Sequence, residues 1–145
     1  MRESFRGRTG FDDGEVYLNG PRAIDRHLRH DLEPEGFFTN GVRFILCERR
    51  SRLVLGHLHL SRVPIELDAA SCEWALCGVV HELALPTDGA VLIVLMRPGP
   101  FALLPGDRRW YRAARRVCQS HGVPLLGVHL VTPRARREVA VDDAL

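Results

Sequence analysis

Apolar positions along the chain fall into blocks that predict four β-strands. Residues 42–47 and 53–60 are two apolar segments separated by the polar stretch 48–51, a pattern typical of a β-hairpin. Residues 90–95 are too few and too uniformly apolar for a surface helix, so they favour a buried central strand. Residues 124–131 supply the fourth strand.

Three helices are predicted where apolar residues recur three or four positions apart. The first is short and carries Ile24 and Leu28 on one face. The second begins at Asp68, a suitable N-cap, and ends before a Pro/Gly turn. Its apolar positions are Cys72, Leu76, Val79 and Leu83. The third runs from Asp107, a second candidate N-cap, to the residue before Gly122.

The predicted order is helix, hairpin, helix, strand, helix, strand. This order indicates an α/β fold, a single domain with a mixed sheet and flanking helices. With 145 residues, of which 46% are hydrophobic, the chain is long enough to bury one core. Residues 1–19 mix glycine, arginine and acidic residues without periodicity, so we expect a flexible N-terminal tail there and a domain over residues 20–141.

Composition narrows the functional classes. No run approaches the roughly 18 consecutive apolar residues of a membrane span, and the first residues lack the apolar centre of a secretory signal. We therefore expect a cytoplasmic chain with no membrane partner. All 20 basic residues are arginine while the net charge is only +2, so arginine usage alone is weak evidence for an acidic partner. The four cysteines form no Cys-x-x-Cys pair, which favours reduced, buried thiols.

Three segments, taken in order and spacing, carry a resemblance to a known family. They are "VRFILCERRSRLVLGHLHL", "CGVVHELALPTDGAVLIVL" and "ARRVCQSHGVPLLGVHLVTP". Together they resemble the opening hairpin, the central strand with its preceding helix, and the last strand of the RadC-like branch of the JAB/MPN (JAMM) family. The match covers residues 18–139. It implies a JAB/MPN sandwich, which is cytidine-deaminase-like, and it brings in a family associated with DNA repair.

Members of that family are metalloproteases whose metal loop reads H-x-H-P-S-G, followed by P-S-x-x-D. Two histidines and an aspartate hold zinc, a glutamate takes a proton from the zinc-bound water, and the serine supports the oxyanion. The resemblance implies that this chain has lost that set. The corresponding positions hold Leu95 and Arg97 for the histidines, Gly99 for the serine, Arg108 or Arg109 for the aspartate with Asp107 nearby, and His57 for the glutamate.

These substitutions predict a catalytically degenerate cleft without a metal cofactor, because neither leucine nor a cationic arginine binds zinc. The resemblance also predicts that His57, Leu95, Arg97 and Asp107 converge at one mouth of the sheet. We expect Arg97 to pair with an acid such as Asp107 or with a backbone carbonyl, since a buried guanidinium needs a partner. On this interpretation the protein binds a protein or nucleic-acid partner instead of hydrolysing a peptide or isopeptide bond.

An alternative is a zinc-dependent metallopeptidase or isopeptidase with relocated ligands. His57 and His59 alternate on one strand, a spacing that lets two imidazoles share a metal, and Asp107 or His129 would complete the set. The simpler interpretation makes both histidines polar residues on a partly covered strand face. A third hypothesis is a structural subunit that pairs with an active JAB protein or with a second copy of itself.

An arginine stripe on the third predicted helix is the candidate surface for nucleic acid. Its members are Arg108, Arg109, Arg112, Arg115 and Arg116. Arginines at helical spacing can neutralise successive phosphates. The alternative is a solvated helix face in an arginine-rich chain, because no aromatic residues alternate with a basic strand to stack bases.

Overall fold

The computed structural model describes residues 2–7, 15–30 and 40–140 of the chain. The elements in this part are the strands β1 (Arg2–Gly7), β2 (Gly41–Glu48), β3 (Val54–Ser61), β4 (Gly89–Met96), β5 (Leu125–Val131) and β6 (Arg136–Glu138), and the helices α1 (Pro21–His30), α2 (Ala69–Val79) and α3 (Pro105–Ser120). A π-helical turn, Val80–Ala84, extends α2. The predicted α/β fold with one mixed sheet is confirmed.

The six strands form one sheet in the order β1-β3-β2-β4-β5-β6. Neighbouring strands are antiparallel except β4 and β5, which run parallel and are joined through α3. Parallel strands need a crossover of this kind, whereas the antiparallel pair β2–β3 needs only the predicted polar turn. All eight residues of β4 are buried, as its uniformly apolar sequence indicates.

Helices cover the sheet on both faces. Val91, Ile93 and Leu95 of β4 point into the larger apolar cluster, which includes residues of α2 and α3. The alternate residues Leu92 and Val94 point into a smaller cluster that includes residues of α1. Because side chains alternate along a strand, the register of each strand decides which of these two faces a given residue reaches.

The prediction of a flexible tail over residues 1–19 is wrong for the part that the structure describes. Arg2–Gly7 pairs with β3 as the edge strand β1, and further on Tyr17 bridges to Leu53 while Leu18 is buried. The side chains of Glu3 and Phe5 are exposed, so β1 is held by backbone pairing and leaves no apolar alternation in the sequence. Residues 1 and 8–14 of the predicted tail, and residues 31–39 and 141 of the predicted domain, lie outside the described residues.

The Asp68 cap is confirmed, since its carboxylate accepts a hydrogen bond from the Ser71 amide at 2.7 Å. The hydrogen bonds from Ser71 hold the pKa of Asp68 below its usual range. The predicted start of the third helix is wrong by three residues. Its N-cap is Leu104, and Asp107 lies inside the first turn of α3.

Four cysteines have free thiols, and three of them are buried. Burial raises the pKa of Cys47 to about 12, and raises those of Cys72 and Cys118 to about 11. The thiolate is the reactive form, so these three thiols should be inert in the folded protein. Cys77 is half-buried, so its thiol is the most accessible of the four.

We expect one thiol per chain to react rapidly with Ellman's reagent at neutral pH, and all four after unfolding. Cys47, Cys72 and Cys118 have pKa values near 9.0 in the unfolded chain and higher values in the folded protein. The free energy of unfolding should therefore also fall as the pH rises from about 9 towards 11–12. Absorbance of the released thiolate counts the reactive groups, and Cys77→Ser should remove the fast one. Rapid reaction of any thiol in the native Cys77→Ser variant would contradict this assignment.

Candidate binding cleft

A loop of alternating proline and glycine follows β4 and opens one end of the sheet. It reads Arg97-Pro98-Gly99-Pro100, and Gly99 has a φ of 94°, in the region that favours glycine. The loop leads to the N-terminus of α3, which packs on the same face of the sheet as Leu95. The strand end, the loop and the helix start therefore enclose a common space.

Arg97 and Asp107 form a buried ion pair in this loop. Their side chains have relative exposures of 6% and 8%, and Arg97 Nη2 lies 2.7 Å from Asp107 Oδ2. The Nε of Arg97 also donates to Oδ1 and Oδ2 of Asp107 at 3.2 and 3.3 Å. The predicted pairing of Arg97 with Asp107 is confirmed, and it brings two of the four expected cleft residues together.

The same guanidinium orders the loop that surrounds it. Arg97 Nη1 donates to the carbonyl oxygens of Pro98 and Pro100, and Nη2 donates to that of Ala102 at 2.9 Å. Proline lacks an amide hydrogen, so this loop has few donors of its own and its carbonyls need external ones. Arg97 therefore holds the loop in place by satisfying three of its carbonyls.

Asp107 has a second role at the start of α3. Its Oδ2 accepts a hydrogen bond from the Leu104 amide at 2.8 Å, so the carboxylate reaches back to the N-cap from the third residue of the helix. Together with the bonds from Arg97, this contact gives both carboxylate oxygens hydrogen-bond donors. The sequence pattern placed Asp107 correctly near the helix start but assigned it the wrong capping position.

The cleft next to this ion pair has a volume of about 380 Å³. Besides the ion pair, its lining is mainly apolar and includes Val42, Val63, Ile65, Leu95, Leu104 and Trp110. Ile65 lies at the rim, and 65% of its surface is exposed. Sequence reasoning missed Ile65 and Trp110, because they come from a connecting turn and a helix face that no motif joins to the loop.

His57 lies on the opposite face of the sheet from this cleft, so the prediction that it converges with Arg97 is wrong. His57 pairs with Ile45, which in turn pairs with Leu92, and both of these residues point towards α1. Leu95 instead points towards α2 and α3. The glutamate position inferred from the family resemblance is therefore remote from Leu95, Arg97, Gly99 and Asp107. The alignment of β3 with the family's glutamate-bearing strand loses its basis.

A β-bulge explains the position of His57. Cys47 pairs with Val54 and Leu46 pairs with Gly56, so Leu55 is an extra residue on β3. Without the bulge, His57 would lie opposite Phe44 and point to the cleft face. One extra residue moves it to the face of α1.

The four residues of the relocated zinc hypothesis do not converge either. His59 and His129 both lie on the α1 face, where they are aligned across the sheet through Arg43 and Val94. Asp107 lies on the other face. Within residues 2–7, 15–30 and 40–140, no group of three or more His, Cys, Asp or Glu residues is arranged to hold a metal ion.

Arg43 is a buried residue that the sequence analysis did not single out. It is 8% exposed, and its Nε donates to Nδ1 of His59 at 3.4 Å. On the same face of the sheet, two strands away, burial lowers the pKa of His129, which favours its neutral form. An arginine inside an otherwise apolar strand was the available signal, since buried cations are rare without acceptors.

The arginine stripe of α3 is partly engaged within the fold. Arg109 donates from Nε to the Leu67 carbonyl at 2.8 Å and from Nη2 to the Ile65 carbonyl at 3.4 Å. Arg116 pairs with Glu73 at 3.3 Å, and the guanidinium of Arg115 lies 5.8 Å from the centre of the Tyr111 ring. Arg108 and Arg112 complete the stripe, half-buried and exposed respectively, and each of them also has an interaction partner.

Comparison with protein-family models, with curated protein sequences and with solved structures finds no match. Among the residues that the structure describes, no helix is both long and apolar enough to span a membrane.

Proposed function

We propose that this chain is a catalytically degenerate RadC-like JAB/MPN domain that binds a partner protein. The cleft receives a peptide segment of that partner, anchored by an apolar side chain. The observation that carries the proposal is the buried Arg97–Asp107 ion pair, which occupies the polar part of the cleft and leaves the remainder apolar.

The chemistry of the lining argues against hydrolysis. A metal-dependent hydrolase combines deprotonated ligands, a polarised water and a base near one point. Here the ligand positions hold an apolar side chain and a permanent cation, and the Asp107 carboxylate already accepts bonds from Arg97 and Leu104. The relocated-ligand alternative loses support because His57 and Asp107 lie on opposite faces of the sheet.

The shape and charge of the cleft favour a peptide over a nucleic acid. A volume of about 380 Å³ lies at the lower end of the range for ligand pockets and suits one or two large side chains. The two charged residues of the lining neutralise each other, so the cleft offers little attraction for phosphate. All five arginines on α3 already have interaction partners, which weakens the case for a nucleic-acid surface.

Metal content tests the loss of catalysis. Protein purified without chelator and without a histidine tag should contain far less than one zinc per chain by elemental analysis, and should not cleave ubiquitin-type isopeptide substrates. One zinc per chain that is released by His57→Ala together with His59→Ala would overturn the proposal in favour of a relocated site.

Peptide selection tests the binding function. A random phage-displayed library should converge on peptides with a common apolar anchor. Binding of the synthetic peptide, measured by calorimetry, should weaken at least about tenfold in Ile65→Asp, since a loss of about 1.4 kcal/mol in an anchoring contact has that effect. Leu85→Asp is the matched control, because Leu85 is also an exposed apolar residue but lies away from the cleft.

Two outcomes of the selection would overturn peptide binding at this cleft. One is a library that yields no enriched sequence under conditions in which the protein is folded. The other is a selected peptide that binds equally well to Ile65→Asp and to the unmodified protein. Selection of a peptide that is displaced by nucleic acid would point instead to the arginine stripe of α3.

A further inference from the structure

The two most exposed aromatic side chains of the described residues lie next to each other, beside the edge strand β1. Trp74 of α2 is 78% exposed and Phe5 of β1 is 51% exposed. Both side chains line a groove of about 210 Å³ between β1 and α2, and Leu58 and Leu60 of β3 lie at its base. We call this surface the aromatic edge groove. A tryptophan this exposed, next to an exposed phenylalanine, is characteristic of an interaction surface.

The groove lies beside a strand edge that can accept another strand. β1 is the terminal strand of the sheet, and within the described residues its outer side pairs with no other strand. Unpaired amide and carbonyl groups along such an edge are a template for a further strand. A strand added at this edge would form backbone hydrogen bonds with β1 and apolar contacts with Phe5 and Trp74 at the same time.

We infer that the occupant is a second copy of this chain, whose β1 pairs antiparallel with β1 of the first. A two-fold axis perpendicular to the sheet relates two such strands and keeps the same face of each copy on the same side. Phe5 pairs with Leu58, which points into the cluster of α2 and α3. The Phe5 and Trp74 side chains of both copies therefore lie on one face of the dimer. Each copy presents the same strand edge and the same two aromatic rings to the other.

The side chains of β1 favour one register. Pairing centred on Phe5 sets the two Phe5 rings opposite each other and sets Glu3 opposite Gly7 of the second copy. Pairing centred on Ser4 would instead set each Glu3 carboxylate opposite a Phe5 ring. Directly opposed aromatic residues stabilise an antiparallel pair, so the register centred on Phe5 is the one we propose.

The area available sets the strength of the dimer. The exposed parts of the four aromatic rings amount to roughly 600 Å², and the paired strand edges bring the total to roughly 1,000 Å², the lower end for a specific interface. We therefore expect a reversible dimer with a dissociation constant of roughly 10–100 µM. This dimer uses neither the cleft beside Arg97 nor the arginine stripe of α3.

Sedimentation velocity over protein concentrations from about 5 to about 500 µM tests the dimer. Trp74→Ser and Phe5→Ser should each raise the dissociation constant at least about tenfold, because each removes two rings from the symmetric interface. Leu85→Ser, at another exposed apolar position, should leave the constant unchanged. Ile65→Ser should also leave it unchanged, which separates this inference from the peptide-binding function of the cleft.

Cross-linking tests the register independently. Directly opposed residues in antiparallel strands have Cα atoms within the range that a disulfide bridges. In a Cys77→Ser background, Phe5→Cys should therefore form a disulfide-linked dimer on mild oxidation, and Ser4→Cys should not. Because Phe5→Cys also removes the ring, both variants are oxidised at a protein concentration above the weakened dissociation constant expected for loss of Phe5. A protein that remains monomeric over the whole concentration range, or a dimer that neither aromatic substitution weakens, overturns the inference. A dimer that cross-links through Ser4→Cys and not through Phe5→Cys overturns the register.

Discussion

Asp107→Ala is expected to lower the free energy of unfolding by about 3–5 kcal/mol, because it leaves the buried guanidinium of Arg97 without its counterion. Arg97 has an exposure of only 5%, so water cannot replace the lost carboxylate without opening the loop. The substitution also removes the acceptor for the Leu104 amide at the start of α3. Urea denaturation followed by circular dichroism measures the loss.

Two controls separate the buried charge from ion pairing in general. Glu73→Ala breaks the exposed pair with Arg116 and should cost no more than about 1 kcal/mol. Replacing both partners, as Arg97→Met with Asp107→Leu, should cost less than Asp107→Ala alone, since no charge is then left buried. Equal losses for Asp107→Ala and Glu73→Ala would mean that the Arg97 site is hydrated and that the ion pair does not organise the loop.

The sequence predicted the elements that carry a strong apolar pattern. The β2–β3 hairpin, the buried strand β4 and the three helices all follow from hydrophobic periodicity and turn residues. β1 could not be predicted, because it is held by backbone pairing to β3 while the side chains of Glu3, Ser4 and Phe5 are exposed. A strand of that kind depends on a neighbour that is distant in sequence, and local patterns do not contain this information.

Part of the candidate site could likewise be predicted from the sequence, and part could not. The pairing of Arg97 with Asp107 was predictable, because both residues flank one loop and a buried cation requires a partner. The position of His57 was not, because a single extra residue at Leu55 reverses the face that each later residue of β3 presents. Gly56 next to the bulge was the one available signal, since glycine inside a strand often marks such an irregularity.

The cleft itself depends on the aromatic packing beneath it. Trp110 of α3 is 5% exposed and lines the cleft. Its ring meets that of Phe44 edge-on, with centroids 6.1 Å apart and an interplanar angle of 63°. An edge-on pair of this kind adds to the apolar burial of both rings. Trp110 thus couples α3 to the centre of the sheet at the position where the cleft beside Arg97 forms.

Trp110→Ala should therefore lower the free energy of unfolding by about 3–5 kcal/mol, through lost burial and the cavity that remains. Trp74→Ala offers a matched control in the same chain, since Trp74 is 78% exposed and should change stability by no more than about 0.5 kcal/mol. Both variants are compared by urea denaturation at low protein concentration, where the proposed dimer is dissociated. Trp110→Phe should retain much of the stability because a ring still meets Phe44. If Trp110→Ala and Trp74→Ala lose similar amounts, α3 does not depend on the Phe44 contact, and the cleft wall is not fixed by the core.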